Sequence, residues 1–181
     1  MNIFYYLFKK IIYDGSKKER YSLGIKGKNP LFCIGINPNT ASPNNYDNTI
    51  KKLISIVEKN KINYDSWVML NIYPQRATDP NNLDIEINFN KRIHLKNIKI
   101  MNRYIKNDSN ILCSWGTLID DNKRPYLKNC LKSIYELLSK KNIKYFHIDE
   151  LTKDGHPKHI LFARTDNGLN NFEIDKYIKN I

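Results

Sequence analysis

What most narrows the folds open to this chain is a repeated alternation of short apolar runs, which stop at polar residues, with stretches of helical periodicity. Leu31 to Ile36 is a continuous apolar run ending at Asn37-Pro38, the pattern of a strand buried on both faces that stops at a polar edge. Asp47 is placed to cap a following helix in which Ile50, Leu53, Ile54 and Val57 recur at i, i+3, i+4 and i+7. The unit then repeats. Trp67 to Ile72 reads as a second strand, and a helix within 88–106 carries Ile93, Ile100, Met101, Tyr104 and Ile105. Ile111 to Trp115 reads as a third strand, followed by an amphipathic helix marked by Leu127, Cys130, Leu131, Ile134, Leu137 and Leu138. Ile143 to Ile148 reads as a fourth, and Ile160 to Ala163 as a short fifth before a closing helix near 171–179. Residues 4–12 and 20–26, around Asp14-Gly15-Ser16, read as an N-terminal β-hairpin. Strands alternating with helices predict a three-layer α/β/α sandwich around a central, mostly parallel sheet of about four strands, plus that hairpin.

A single domain over 1–181 is expected: 41% hydrophobic residues supply one core, and no linker, low-complexity tract or internal repeat divides the chain. No apolar run approaches the ~20 residues that span a bilayer, and Phe4 to Phe8 is halted by Lys9-Lys10. The start lacks a long apolar core followed by a small-residue cleavage site, so the cytoplasm is the expected compartment. Cys33, Cys113 and Cys130 are odd in number and far apart, which predicts buried reduced thiols, with neither a disulfide framework nor an iron–sulfur cluster. His156 and His159, with Asp154 nearby, offer too few ligands for a metal, and no cofactor is expected. The 30 Lys+Arg against 18 Asp+Glu give a net charge of +12, which attracts polyanions and makes DNA or a nucleotide the expected partner. The chain is also crowded with Lys, Asn, Ile and Tyr, and its lysines are spread along its length, so charge alone does not define an interface.

Open parallel sheets bind ligands beyond the carboxyl ends of their strands, and the unusual polar residues fall there. The first strand is followed by Gly35-Ile36-Asn37-Pro38-Asn39-Thr40-Ala41-Ser42, the second by Asn71-Ile72-Tyr73-Pro74-Gln75-Arg76-Ala77-Thr78-Asp79-Pro80. The third ends in Ser114-Trp115-Gly116, and the last loop reads Thr152-Lys153-Asp154-Gly155-His156-Pro157-Lys158-His159. A phosphate-cradling glycine loop and the Gly-x-Ser-x-Gly elbow are both missing from the sequence, which argues against nucleotide-loop and α/β-hydrolase chemistry. Arg76 and Asp79 are expected to form an ion pair shaping their loop, with phosphate contact as the alternative for Arg76. Trp115 reads as core more readily than as a stacking platform.

Three of these motifs carry a resemblance. Gly35-Ile36-Asn37-Pro38 resembles the first motif of the uracil-DNA glycosylase superfamily and matches its mismatch-specific uracil glycosylase branch; Asn71 at a strand end, with its Arg- and Pro-containing loop, and Gly155-His156-Pro157 resemble later motifs in the same order. The resemblance implies hydrolysis of the N-glycosidic bond of uracil or another altered base, a DNA-repair chemistry. It implies that Asn37 holds the water, Asn71 bonds the edge of an extruded base, and His156 donates to a base oxygen as charge develops. Gly35, Pro38, Asn71, Arg76, Tyr46, Trp115, Lys158 and Leu161 would contact substrate, Tyr46 as the nearest candidate for a stacking aromatic and Leu161 or Ile160 as a wedge. Two departures stand out. Asn37 cannot act as a general base as an aspartate could, and Lys158 stands where the superfamily commonly has a small hydroxyl residue. Nearly the whole chain also resembles a bacterial and phage family known as domain of unknown function sixteen-forty-three, through Asn-Pro-x-Thr-Ala, Arg76-Ala77-Thr78-Asp79-Pro80, Trp115-Gly116 and Thr152 to Pro157. Two other expectations compete with a DNA glycosylase: a non-catalytic nucleic-acid or nucleotide binder, acting as a sensor or phage-defence component, and an N-glycosidase for free modified nucleotides.

Overall fold

A computed structural model describes residues 10–166 and 168–181. Its strands are β1 (Ile11–Gly15), β2 (Arg20–Ile25), β3 (Pro30–Gly35), β4 (Ser66–Asn71), β5 (Asn110–Ser114), β6 (Lys144–Ile148) and β7 (Leu169–Asn171). They form one seven-stranded sheet in the order β1-β2-β4-β3-β5-β6-β7. The expected mostly parallel sheet of about four strands with a separate hairpin is therefore wrong. The sheet is mixed: β4, β3, β5 and β6 run parallel, while β1 with β2, β2 with β4, and β6 with β7 pair antiparallel.

The hairpin joins the sheet through β2. All six of its residues are buried, and Tyr21, Leu23 and Ile25 on one face would be left in water in an isolated ribbon. Gly24 permits the close approach to β4: a Cβ there would stand 2.4 Å from the Trp67 carbonyl oxygen and 2.8 Å from Val68 Cα. Residues 4–9 of the expected hairpin lie outside the described residues. The expected strand at 160–163 is instead a helical turn, closed by Phe162 N–H to His159 O and Ala163 N–H to Ile160 O.

Among the described residues four α-helices cover the sheet: α1 (Asn48–Lys59), α2 (Lys91–Tyr104), α3 (Tyr126–Leu138) and α4 (Ile174–Asn180). Asp47 caps α1, its Oδ1 accepting from Ile50 N–H at 2.9 Å, and Asn90 caps α2 by accepting from Arg92 and Ile93. Alternate strand residues feed two cores, as period-two side-chain placement requires. Leu31, Cys33, Trp67, Met69 and Leu112 pack with Ile50, Leu53, Ile56 and Val57 of α1. Phe32, Ile34, Val68, Leu70, Ile111 and Cys113 pack with residues of α2, α3 and α4. Full burial of each such large aliphatic side chain contributes roughly 1.5–3 kcal/mol. Cys33, Cys113 and Cys130 are free and buried. Among the described residues no helix is long and apolar enough to cross a membrane.

Candidate functional site

The parallel strands end level with one another. Gly35 of β3 pairs with Asn71 of β4 on one side and with Ser114 of β5 on the other. Beyond these three residues opens a cleft of about 440 Å³, within the range of small-ligand sites. Ile36, Met69, Trp115, Leu118, Leu161 and Phe162 supply its apolar surface, and Arg20, Asn37, Asp47, Thr49, Lys158 and His159 are among its polar residues. Gly116, also in the wall, has φ +67°, a backbone conformation that side chains other than glycine's adopt at a cost.

The loop between β6 and β7 reaches the cleft because its backbone is tied to β5. Ser114 Oγ accepts from Ile160 N–H at 2.7 Å, and Gly116 N–H donates to Pro157 O at 2.9 Å. Asp149 holds the other side of the same loop, accepting from Arg164 N–H and from Lys158 Nζ, the latter at 3.0 Å. These hydrogen bonds, with that of Glu150 N–H, keep its carboxyl well below the usual carboxylate range.

His159 is the histidine of the cleft. Its Nδ1 accepts from Leu161 N–H at 3.3 Å, which places the ring proton on Nε2. Burial depresses its pKa against the opposing pull of Asp47, so the ring is neutral at pH 7. Asp47 spends Oδ1 on the α1 cap, and no hydrogen bond within the described residues engages Oδ2.

Arg20 lies at the cleft with only 2% of its surface exposed. Its Nη1 donates to Ala41 O at 3.3 Å and its Nη2 to Asn71 Oδ1 at 3.4 Å, while Nε has no partner among the described residues. Burial lowers its pKa to about 10, with Asp47 opposing and Arg76 assisting.

The residues expected from sequence divide into two groups. Asn37, Trp115, Lys158 and Leu161 line the cleft. Asn37 Nδ2 is spent on Pro38 O and Ala77 O, at 3.1 and 2.8 Å, which leaves its Oδ1 without a bond in the described residues. Trp115 lines the cleft while its Nε1 donates to Tyr177 Oη at 3.0 Å. Gly35, Pro38, Asn71 and Tyr46 lie outside the lining. Gly35 sits against Asn71, Pro38 accepts from the Asn37 amide, and Tyr46 packs edge-on to Trp67 with ring centroids 5.5 Å apart. Arg76 borders an adjoining hollow with Asn39, Ala77 and Thr78. It makes no ion pair with Asp79; its guanidinium donates to Ser16 O, Asn39 O, Ala41 O and Tyr13 Oη.

His156 is not at the cleft. It borders a separate hollow with Asp120, Lys128 and Tyr177 and is 2% exposed. Its Nε2 lies 2.7 Å from Asp120 Oδ2 and its Nδ1 2.7 Å from Tyr177 Oη. A consistent chain of donors runs from Trp115 N–H to the Tyr177 oxygen, from Tyr177 O–H to Nδ1, and from Nε2–H to the carboxylate. Both ring nitrogens are thus occupied. Ile160, the alternative wedge, is fully buried, whereas Leu161 and Phe162 are 38% and 79% exposed at the cleft.

Sequence reasoning missed Arg20, Asp47 as a cleft residue, His159 and Phe162. A charged residue opening an otherwise apolar strand was the available signal for Arg20, and the second histidine of Gly155-His156-Pro157-Lys158-His159 the one for His159. Among the described residues no group of three or more His, Cys, Asp or Glu is placed to hold a metal ion.

These features define an α/β protein with a ligand-sized cleft at the carboxyl ends of its central strands. A family model described as "Protein of unknown function (DUF1643)" matches residues 20–161, and the chain belongs to that family. No curated protein and no solved structure matches it.

Proposed function

We propose that the cleft receives a nucleobase and that the chain hydrolyses the N-glycosidic bond carrying it, with uracil or another altered base as leaving group. The observation that carries this reading is the presence, in one cleft, of the Asp47 carboxylate and a neutral His159 imidazole whose proton is on Nε2. A water's oxygen bonds to the anomeric carbon as the carbon–nitrogen bond breaks. The electron pair leaves with the base, and the water's proton passes to Asp47 Oδ2. General-base assistance of this kind is worth roughly 10²–10⁴ in rate. His159 Nε2–H donates to the base oxygen on which charge develops, and a donor so placed contributes about 10²–10³. Asn37 Oδ1 accepts from the water's remaining O–H, its amide being fixed by two backbone carbonyls. The roles implied for His156 and for Asn37 alone are thereby divided among His159, Asp47 and Asn37. Leu161 and Phe162, exposed at the lip, suit contact with the neighbours of an extruded base.

The test is release of free base from oligonucleotides and nucleotides carrying a panel of altered bases. Asp47→Asn and His159→Gln are expected to lower release by about 10²-fold or more. His156→Gln is expected to reduce thermal stability, because it breaks the Asp120 and Tyr177 bonds. No free base from any substrate, or full release by Asp47→Asn, overturns the proposal. A second reading, ligand binding without turnover, is favoured by the engagement of both His156 nitrogens outside the cleft. It predicts saturable, salt-dependent binding with no base released.

A further inference from the structure

Arg20 is a buried cation with no buried anion to answer it. No ion pair involves it among the described residues. Its two hydrogen bonds, at 3.3 and 3.4 Å, go to neutral oxygens and are long beside the 2.7–2.9 Å of charge-assisted pairs. Arg76 Nη1 donates to the same Ala41 carbonyl at 3.1 Å, so two guanidinium groups converge on one neutral acceptor. Arg20 Nε–H is without a partner among the described residues. Burying a charge and one of its donors unanswered is costly. Such groups persist in a fold where a ligand completes them. Asp47 also lines the cleft and acts electrostatically on Arg20, yet its bonded oxygen caps α1 and the two groups form no ion pair.

We infer that the floor of the cleft is an anion subsite centred on Arg20, and that the ligand is a monomeric nucleotide whose terminal phosphate occupies it. The choice of nucleotide rests on the nucleobase reading above; the anion subsite does not. A phosphate monoester brings the missing negative charge together with three acceptor oxygens, which suits the fixed fork of a guanidinium. Depth decides between monomer and polymer. Arg20 is 2% exposed, whereas the phosphates of a nucleic-acid strand are flanked by sugars on both sides and track the surface of the protein that binds them. A base extruded from DNA enters a pocket first and leaves its phosphates at the lip. A free nucleotide can place its phosphate at the floor.

Calorimetric titration of the full chain with 2′-deoxyuridine, its 5′-monophosphate, inorganic phosphate and a uracil-containing single-stranded oligonucleotide, at constant ionic strength, tests the inference. The monophosphate is expected to bind at least about tenfold more tightly than the nucleoside, with inorganic phosphate competing. Arg20→Met removes an unanswered buried charge at similar volume, so the variant is expected to fold and to bind nucleoside and monophosphate alike. Arg20→Lys, which keeps the charge but loses the fork, is expected to retain only part of the preference. Equal affinities for nucleoside and monophosphate in the native chain overturn the inference, as does a preference undiminished in both variants. Base release from DNA without any monophosphate preference also overturns it, while leaving the proposed reaction standing. A monophosphate preference lost in Arg20→Met, with no base released from any substrate, supports the anion subsite and counts against hydrolysis.

Discussion

Replacing Ser114 by alanine removes one oxygen and is expected to loosen a whole wall of the cleft. Ser114 is the last residue of β5 and fully buried, and its Oγ accepts from the Ile160 N–H at 2.7 Å while donating to the Lys158 carbonyl at 3.4 Å. Ile160 is itself fully buried in the core beneath α1, so its N–H finds no water when the hydroxyl is lost. A buried donor left without an acceptor costs about 1–3 kcal/mol, and the longer second bond adds little. With a urea slope near 2 kcal/mol/M, the unfolding midpoint should fall by roughly 0.5–1.5 M with the slope unchanged. Amide exchange at Ile160 should accelerate in step. Because the same segment carries Lys158, His159 and Leu161 into the cleft, ligand affinity should fall with it. A midpoint within about 0.2 M of the native value, together with a protected Ile160 amide, would refute the claim that this one hydroxyl anchors the loop.

Two further substitutions probe the frame. Gly24→Ala drives a methyl group against the backbone of β4, 2.4 Å from the Trp67 carbonyl oxygen; a loss of about 1–3 kcal/mol is expected, and thermal denaturation at the native midpoint would contradict the close packing of β2 on β4. Asp149 has its folded-state pKa depressed by the N–H groups of Arg164 and Glu150 and by Lys158, so its contribution is present at neutral pH and is lost as pH falls below the ordinary carboxylate value of about 4. Asp149→Asn should be less stable than the native chain at pH 7 and should converge with it in acid, and parallel stability curves from pH 7 to pH 3 would count against this.

The sequence made the buried parallel strands legible because their signal is dense. Leu31 to Ile36 and Trp67 to Leu70 are unbroken apolar runs, and the helix after each shows its core-facing stripe at regular spacing. The edges of the sheet were not legible, for a different reason at each side. β2 joins β4 through the absence of a side chain at Gly24, a steric permission that hydropathy does not record. β7 is three residues long, Leu169–Asn171, with two of them exposed asparagines. Within the site, Asn37 was found because a strand end followed by proline is a visible motif. His156 was misplaced because its Gly-His-Pro turn marks the loop without saying which way a ring points; three residues on, His159 faces the cleft. Asp47 was read correctly as a cap, but a cap at the mouth of a ligand cleft has a second oxygen, and periodicity is silent about it. Arg20 begins a fully buried strand, but in sequence it directly follows Lys17-Lys18-Glu19 and reads as one more loop charge.

Trp115 touches both halves of this molecule's polar chemistry. The residue borders the cleft, and its indole N–H ends on the Tyr177 hydroxyl that leads to His156 and Asp120. The chain has only one other tryptophan, Trp67, fully buried against α1. Intrinsic fluorescence therefore carries a reference and a reporter in the same spectrum: occupation of the cleft changes the surroundings of one fluorophore and leaves the other in its apolar layer. Screening for the ligand needs no label, no tag and no assumption about the reaction.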